Sequence, residues 1–138
     1  MADFVLEMFT PQKQFFMGEV SSFVCSSADG ELCVLSGHHP MLVALAPGEV
    51  RIKTSEGVKS AYVSDGFMEV RPDHVMVFSH LCEWPEDIDE VKAKREIEKD
   101  REQLRNAESL SEHRRNEVEL QRMMAMLRVK KKSSINHR

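Results

Sequence analysis

At 138 residues the chain has room for one ordinary domain, or for a small domain with an appendage, and is too short for most two-lobed enzymes. Its formal net charge of -4 is unevenly spread: residues 1–84 hold 11 acidic and 5 basic side chains, residues 85–138 hold 12 and 14. The negative first part would repel a nucleic-acid backbone, and only the last quarter is basic, so nucleic acid is not an expected partner. Cys25, Cys33 and Cys82 are odd in number and include no CxxC pair, which fits a reducing compartment better than a disulfide framework. No apolar run reaches about 18 residues, and Asp3 precedes Phe4 with no basic leader, so neither direct membrane insertion nor a signal peptide is expected.

From Phe4 to Ser79 short apolar alternations are separated by turn formers. Phe4, Leu6 and Met8 alternate with Val5, Glu7 and Phe9 until Thr10-Pro11 interrupts them. Val20 to Cys25 reads as a strand before Ala28-Asp29-Gly30, and Glu31 to Leu35 as its return. Cys25 and Cys33 are symmetric about Asp29, a placement that would let them face each other across that hairpin; an oxidised pair is then physically possible, and small buried or half-buried thiols are the plainer reading. Further alternations run through Val50 and Ile52, Val58 to Val63, Phe67 to Arg71 and Val75 to Phe78, with Asp65-Gly66 and Pro72-Asp73 as turns. So many strands without a helical spacer predict an antiparallel β-sandwich or barrel.

Pro85 marks a change, because no Pro or Gly follows it. Asp87 with Glu90, and Ser109 with Glu112, have the spacing of helix-capping pairs. The expected apolar stripes are thin: Ile88, Val91, Ile97, Leu104 and Ala107 on the first helix, and Leu120, Met124 and Leu127 on the second. The fold class is therefore β + α, with a β-sandwich or barrel over 1–84, an antiparallel two-helix hairpin over 85–132 and a frayed tail over 133–138.

No Ser or Cys lies in a nucleophile elbow, and the carboxylates of the β part fall on turns without an obvious acid–base pair, so no catalytic residues are expected. A solvated charged face remains the plain reading of Arg114, Arg115, Arg122 and Arg128. The plain reading of Glu31 is a solvated turn carboxylate. His38 and His39, adjacent on an expected strand, would point in divergent directions and lack a third ligand at diagnostic spacing, so no metal is expected. A free-standing helical-hairpin adaptor is the alternative function, although residues 88–110 show no sustained heptads.

Two strings go further. Gly30-Glu31-Leu32-Cys33-Val34-Leu35-Ser36-Gly37-His38-His39-Pro40-Met41 and Val63-Ser64-Asp65-Gly66-Phe67-Met68-Glu69-Val70-Arg71-Pro72-Asp73 resemble GELGILPGHxPL and VSGGFLEVRPD, segments of the epsilon subunit family of bacterial and chloroplast F-type ATP synthases. Thr10-Pro11, Phe16 to Val20 and the order of a ten-stranded-looking β part followed by a hairpin extend the resemblance over nearly the whole chain. Cys33, Ser36 and Asp65 depart from the family strings at positions that carry no charge the role needs.

The resemblance implies a non-catalytic central-stalk component that couples ion translocation to ATP synthesis. It implies contacts with the gamma subunit and the c-ring through Glu31 and through Gly37, His38, His39, Pro40, Met41 and Leu42. It also implies that Arg114, Arg115, Arg122 and Arg128 lie on a regulatory helix that restrains hydrolysis near the alpha and beta subunits. The place implied is peripheral: the cytoplasmic side of a bacterial cell membrane, or the stromal side of a thylakoid if the chain is plastid-encoded. No cofactor is required. Ile88-Asp89-Glu90-Val91-Lys92-Ala93 resembles the family's I/L-D-x-x-R-A nucleotide segment, which implies weak ATP binding on the folded hairpin by Asp89, Lys92, Ala93, Arg115 and Arg122. Lys92 stands where the family has arginine, keeping the charge and losing the planar fork.

Overall fold

The computed structural model describes residues 3–106 and 109–136, with side chains described through residue 132. The chain divides into two units, Met1–Trp84 and Pro85–Arg138.

The first unit is a sheet of ten strands: β1 Phe4–Phe9, β2 Gln14–Val20, β3 Ser22–Ser27, β4 Gly30–Leu35, β5 Met41–Leu45, β6 Gly48–Thr54, β7 Gly57–Val63, β8 Gly66–Val70, β9 His74–Ser79 and β10 Cys82–Glu83. They follow the order β10-β7-β6-β3-β5-β8-β9-β1-β2, with β4 on β3. All pairings are antiparallel except β1 with β9, which run parallel with Val5 opposite His74. The alternation seen in the sequence is the alternation of burial: Phe4, Leu6 and Met8 are buried and Val5, Glu7 and Phe9 only half-buried. Leu6, Met8, Phe23, Ile52 and Met68 are fully buried, each worth about 1.5–3 kcal/mol of apolar burial. The two ends of the strand path meet, because the Phe15 ring on β2 stacks at 4.4 Å on Trp84, the residue after β10, with Phe16 edge-on at 6.4 Å. This contact turns an open path into a near-barrel.

Three details differ from the sequence reading. The strand expected over Val20 to Cys25 is two strands broken at Ser21, whose N–H donates to Lys53 O at 2.8 Å. In one continuous strand Val20 and Phe23 would face opposite ways, and the break allows both to be buried. Cys25 and Cys33 do not face each other. The two-residue turn Ala28-Asp29 pairs Cys25 with Leu32 and Val24 with Cys33, so Cys25 is buried and Cys33 exposed, and both are free thiols. Strands β5 and β10 were not read from the sequence as strands, and Gln14–Val20 was not read as one in its own right.

At the base of β7 to β10, Ser64 and Ser79 form a buried hydroxyl pair at 3.1 Å. Ser79 Oγ donates toward Leu81 O at 3.0 Å, and Leu81 N–H donates to Ser64 Oγ at 3.0 Å. The crossover thus satisfies its polar groups internally. On the outer face Phe9, Phe78 and Phe67 stack across β1, β9 and β8 with centroids 5.5 and 5.0 Å apart.

The second unit opens with a 3-10 turn, Pro85–Asp87, followed by α1 Glu90–Arg105 and α2 Leu110–Asn136, which pack on each other as a hairpin. The cap of α1 is Asp89, whose Oδ1 accepts from Lys92 N–H at 3.1 Å. Asp87, expected as the cap, lies in the preceding turn. Ser109 caps α2 by accepting from Glu112 N–H at 3.2 Å. The buried face of α1 is Ala93, Ile97 and Asp100, while Val91, counted in the expected stripe, is 60% exposed. On α2 Ala125 and Val129 are buried, and Leu120, Met124 and Leu127 only half-buried. Ala107 lies outside the described residues. The α2 backbone continues to Asn136, four residues into the tail expected to fray, and residues 137 and 138 lie outside the described residues.

Candidate functional site

The loop between β4 and β5 is shaped by Gly37, at φ 82, whose N–H donates to Pro72 O at 2.8 Å. That conformation suits glycine, because a side chain is strained at such a φ. His38 and His39 lie in this loop rather than on a strand, and their rings are stacked at 4.5 Å rather than divergent. The stacking follows from local bonding: His38 N–H donates to Leu35 O at 3.3 Å, and His38 Nδ1 lies 2.9 Å from His39 O. Among the described residues no group of three His, Cys, Asp or Glu side chains is placed to hold a metal ion.

β5 then pairs with β8, setting Met41 opposite Val70 and Leu42 opposite Glu69. The two motif strings, separated by more than twenty residues of sequence, are thus joined side by side. Between them runs a groove of about 780 Å3 lined by Pro40, Met41, Leu42, Val70 and Pro72, with the charged Glu69, Arg71 and Asp73 also on its walls. Leu42 is 72% exposed. Glu69 Oε1 accepts two hydrogen bonds from Arg71, at 2.9 and 2.7 Å, which fixes this charged part of the rim. Sequence reasoning named residues 37–42 but missed 69–73 as their partner. The signal available was the second motif string itself.

Glu31, expected at the tip of a turn, stands on β4 and is ion-paired to Arg51 of β6 at 2.7 Å. Arg51 also reaches Glu49 at 3.3 Å. The hydrogen bond that Arg51 donates to Glu31 is the main reason the guanidinium holds its proton more firmly than usual, against the opposing effect of burial. Burial pushes the Cys25 thiol up to about 12 and the Cys82 thiol to about 11.

On the hairpin, Asp89 is occupied as the cap of α1, Lys92 is exposed and Ala93 is buried. Arg114 and Arg115 are exposed, Arg128 is exposed further along α2, and Arg122 is half-buried with Nη1 3.5 Å from Glu119 Oε2. Arg114, Arg115 and Arg122 line a cleft of about 470 Å3 with Asp100, Gln103 and Glu119. Asp89, Lys92 and Ala93 are not part of its lining. Along α1 the rise from Asp89 to Asp100 is about 16 Å, so the five expected nucleotide residues are divided between the first turn of α1 and a cleft further along the hairpin.

The family described as ATP synthase, Delta/Epsilon chain, beta-sandwich domain matches residues 3–85. The chain is 37% identical over 127 residues to the ATP synthase epsilon chain of Ruminiclostridium cellulolyticum, covering 92% of this chain and 95% of that one. This chain belongs to the epsilon chain family of F-type ATP synthases, of the bacterial and chloroplast type. A second epsilon chain, from Caldanaerobacter subterraneus subsp. tengcongensis, is 35% identical over 130 residues and 94% of either chain. Among solved structures, the fold of this epsilon chain is shared with a chain of the Euglena gracilis mitochondrial ATP synthase, OSCP/F1/c-ring, at TM-score 0.80 and 21% identity over 91% of this chain and 80% of that one. It is also shared with a chain of the Tetrahymena thermophila mitochondrial ATP synthase central stalk and c-ring, at TM-score 0.67 and 12% identity over 94% of this chain and 97% of that one. As an epsilon chain it is a non-catalytic component of the central stalk.

Proposed function

We propose that this epsilon chain fastens to the gamma subunit and the c-ring through its β unit, and that its hairpin restrains ATP hydrolysis by exchanging between a compact and an extended arrangement beside the alpha and beta subunits. The observation that carries the first half is the junction of the two motif strings. Pro40, Met41 and Leu42 present apolar surface over a groove whose charged rim is set by Glu69 and Arg71. An apolar centre with a polar rim is the make-up of a protein interface. The two solved structures of similar fold come from assemblies that include a c-ring, which supports the same location.

For the second half, α1 and α2 bury only Ala93, Ile97, Ala125 and Val129 among their described apolar side chains. A helix pair with so small an apolar core gives up little when it changes partner. Arg114, Arg115, Arg122 and Arg128 supply the charge for an acidic partner surface. Among the described residues no helix is long and apolar enough to cross a membrane. The proposed position is peripheral, through the ring, on the cytoplasmic side of a bacterial membrane or the stromal side of a thylakoid.

The test uses a chain ending at Trp84, shown to be folded by circular dichroism, mixed with purified gamma. Co-elution is expected, and Leu42→Asp is expected to weaken it. Gamma binding by the full chain but not by folded 1–84 would refute the assembly role. In the assembled enzyme, removal of residues from Glu86 onward is expected to raise ATP hydrolysis, and an unchanged rate would refute the regulatory role while leaving assembly intact.

A further inference from the structure

The seam of α1 contains one residue of the wrong chemistry. Ala93, Ile97 and Asp100 occupy positions i, i+4 and i+7 of the buried face, so a carboxylate takes a place where an apolar side chain belongs. Asp100 is only 5% exposed, and its Oδ2 has no hydrogen-bond partner among the described residues. It opens onto the cleft between the helices. From α2 that cleft is lined by Arg114, Arg115, Glu119 and Arg122. Glu119 across the cleft and Glu96 on α1 act on Asp100 as like charges, and Lys99 on α1 acts in the opposite sense. Arg122 directs Nη1 toward Glu119 Oε2 at 3.5 Å.

An ionised carboxylate that is removed from water without full hydrogen bonding works against the arrangement that buries it. We propose that Asp100 is a release element built into the hairpin: its ionised carboxylate, with an unpartnered oxygen in the α1–α2 cleft and Glu119 opposite, opposes packing of the two helices, and its protonation tightens them. The inference deepens the reading of the hairpin as an element that changes partner, and rests on that reading for its consequence in the assembled enzyme.

Desolvation first, then Glu119 and Glu96, raise the carboxyl's pKa above the ordinary value of 3.8. The packed hairpin therefore binds the proton more tightly than the open one. Packing is strongest below the ordinary Asp range and weakens as pH rises through the higher packed value, above which the release element acts in full. Each unit of difference between the packed and open pKa multiplies the opening equilibrium by about ten.

Amide hydrogen exchange of the full chain tests this, read on α1 and α2 from about pH 4 to about pH 8, corrected for intrinsic exchange and referenced to the β unit. Wild-type helix protection is expected to fall as pH rises. Asp100→Asn is expected to raise protection near pH 8 relative to the wild-type chain and to flatten the pH dependence. Glu119→Gln is expected to act in the same direction by a smaller factor. Unchanged or lower protection in Asp100→Asn would overturn the proposal, because it would mean that the arginines of the cleft already stabilise the carboxylate. Should that variant fail to fold, a carboxyl-carbon NMR titration of the wild-type chain decides: Asp100 titrating at or below the ordinary Asp value overturns the proposal. Hydrolysis by the assembled enzyme separates the two ideas. A tightened hairpin with an unchanged hydrolysis rate would refute the regulatory reading and leave the release element standing.

Discussion

Replacing Gly66 by alanine is expected to be among the most damaging single-carbon additions in the β unit. Gly66 opens β8 opposite Ser79 of β9 and Leu45 of β5. A Cβ built there would overlap the Phe78 carbonyl oxygen, with Ser79 Cα at 2.9 Å and Phe78 C at 3.0 Å. All three are backbone atoms, so no side-chain rotation relieves the clash, and β9 must move away from β8. Overpacking typically costs about 1–3 kcal/mol, and the upper end is expected because the displaced backbone also holds the Ser64–Ser79 crossover. At about 4–8 °C per kcal/mol for a domain of this size, melting should fall by about 12–24 °C. Gly18→Ala is the matched control. Its added carbon meets only the Phe16 ring at 3.5 Å, an ordinary contact, so the restriction of the unfolded chain should leave it neutral or stabilised by about 0.4–1 kcal/mol. Thermal unfolding of the full chain followed by Trp84 fluorescence reads both variants, because the sole tryptophan is stacked on Phe15. A Gly66→Ala variant that melts within about 1 kcal/mol of Gly18→Ala would refute the steric argument.

In the native chain at pH 8 a small thiol reagent should modify Cys33 promptly and leave Cys25 and Cys82 untouched, while denaturant should expose all three. Burial, together with thiol pKa values of about 12 and 11, keeps the latter two protonated and inaccessible; prompt modification of Cys25 in the folded protein would contradict the register of β3 and β4. ATP binding by the isolated full chain is expected to be weak, at millimolar nucleotide. Lys92→Arg should tighten it roughly ten- to a hundredfold through a second charge-assisted hydrogen bond, and the absence of any calorimetric signal from both proteins would reduce residues 88–93 to a capped helix start.

The β-then-helical order was legible because each part rests on a local signal: period-two alternation up to Ser79, then Pro85 and a stretch free of Pro and Gly. What escaped depends on parity and on pairing between distant strands. A single residue, Ser21, breaks the strand so that Val20 and Phe23 are both buried, and a half-residue difference in the centre of the β3–β4 turn separates Cys25 from Cys33. The stacked pair His38 and His39 was misjudged because strand geometry was assumed where Gly37 makes a loop. On the hairpin, a stripe drawn through apolar residues alone passed over Asp100 and counted Val91, because a polar residue in the buried register is invisible to a search for hydrophobicity. Residues 37–42 were legible as surface, whereas their junction with 69–73 depends on β5 pairing with β8, a tertiary event.

The parallel pairing of β1 with β9 constrains the order of events during synthesis. Val5 sits opposite His74 and Phe9 opposite Phe78, so the first strand of the unit to be made docks on one of its last. β1 and β2 can pair early as a hairpin, yet the other edge of β1 has no partner until β9 has been made. Contacts spanning almost seventy residues carry a large loop-closure cost before they return any stability. During that interval the nascent chain carries an unpaired strand edge, the kind of feature that makes a partly folded chain prone to association.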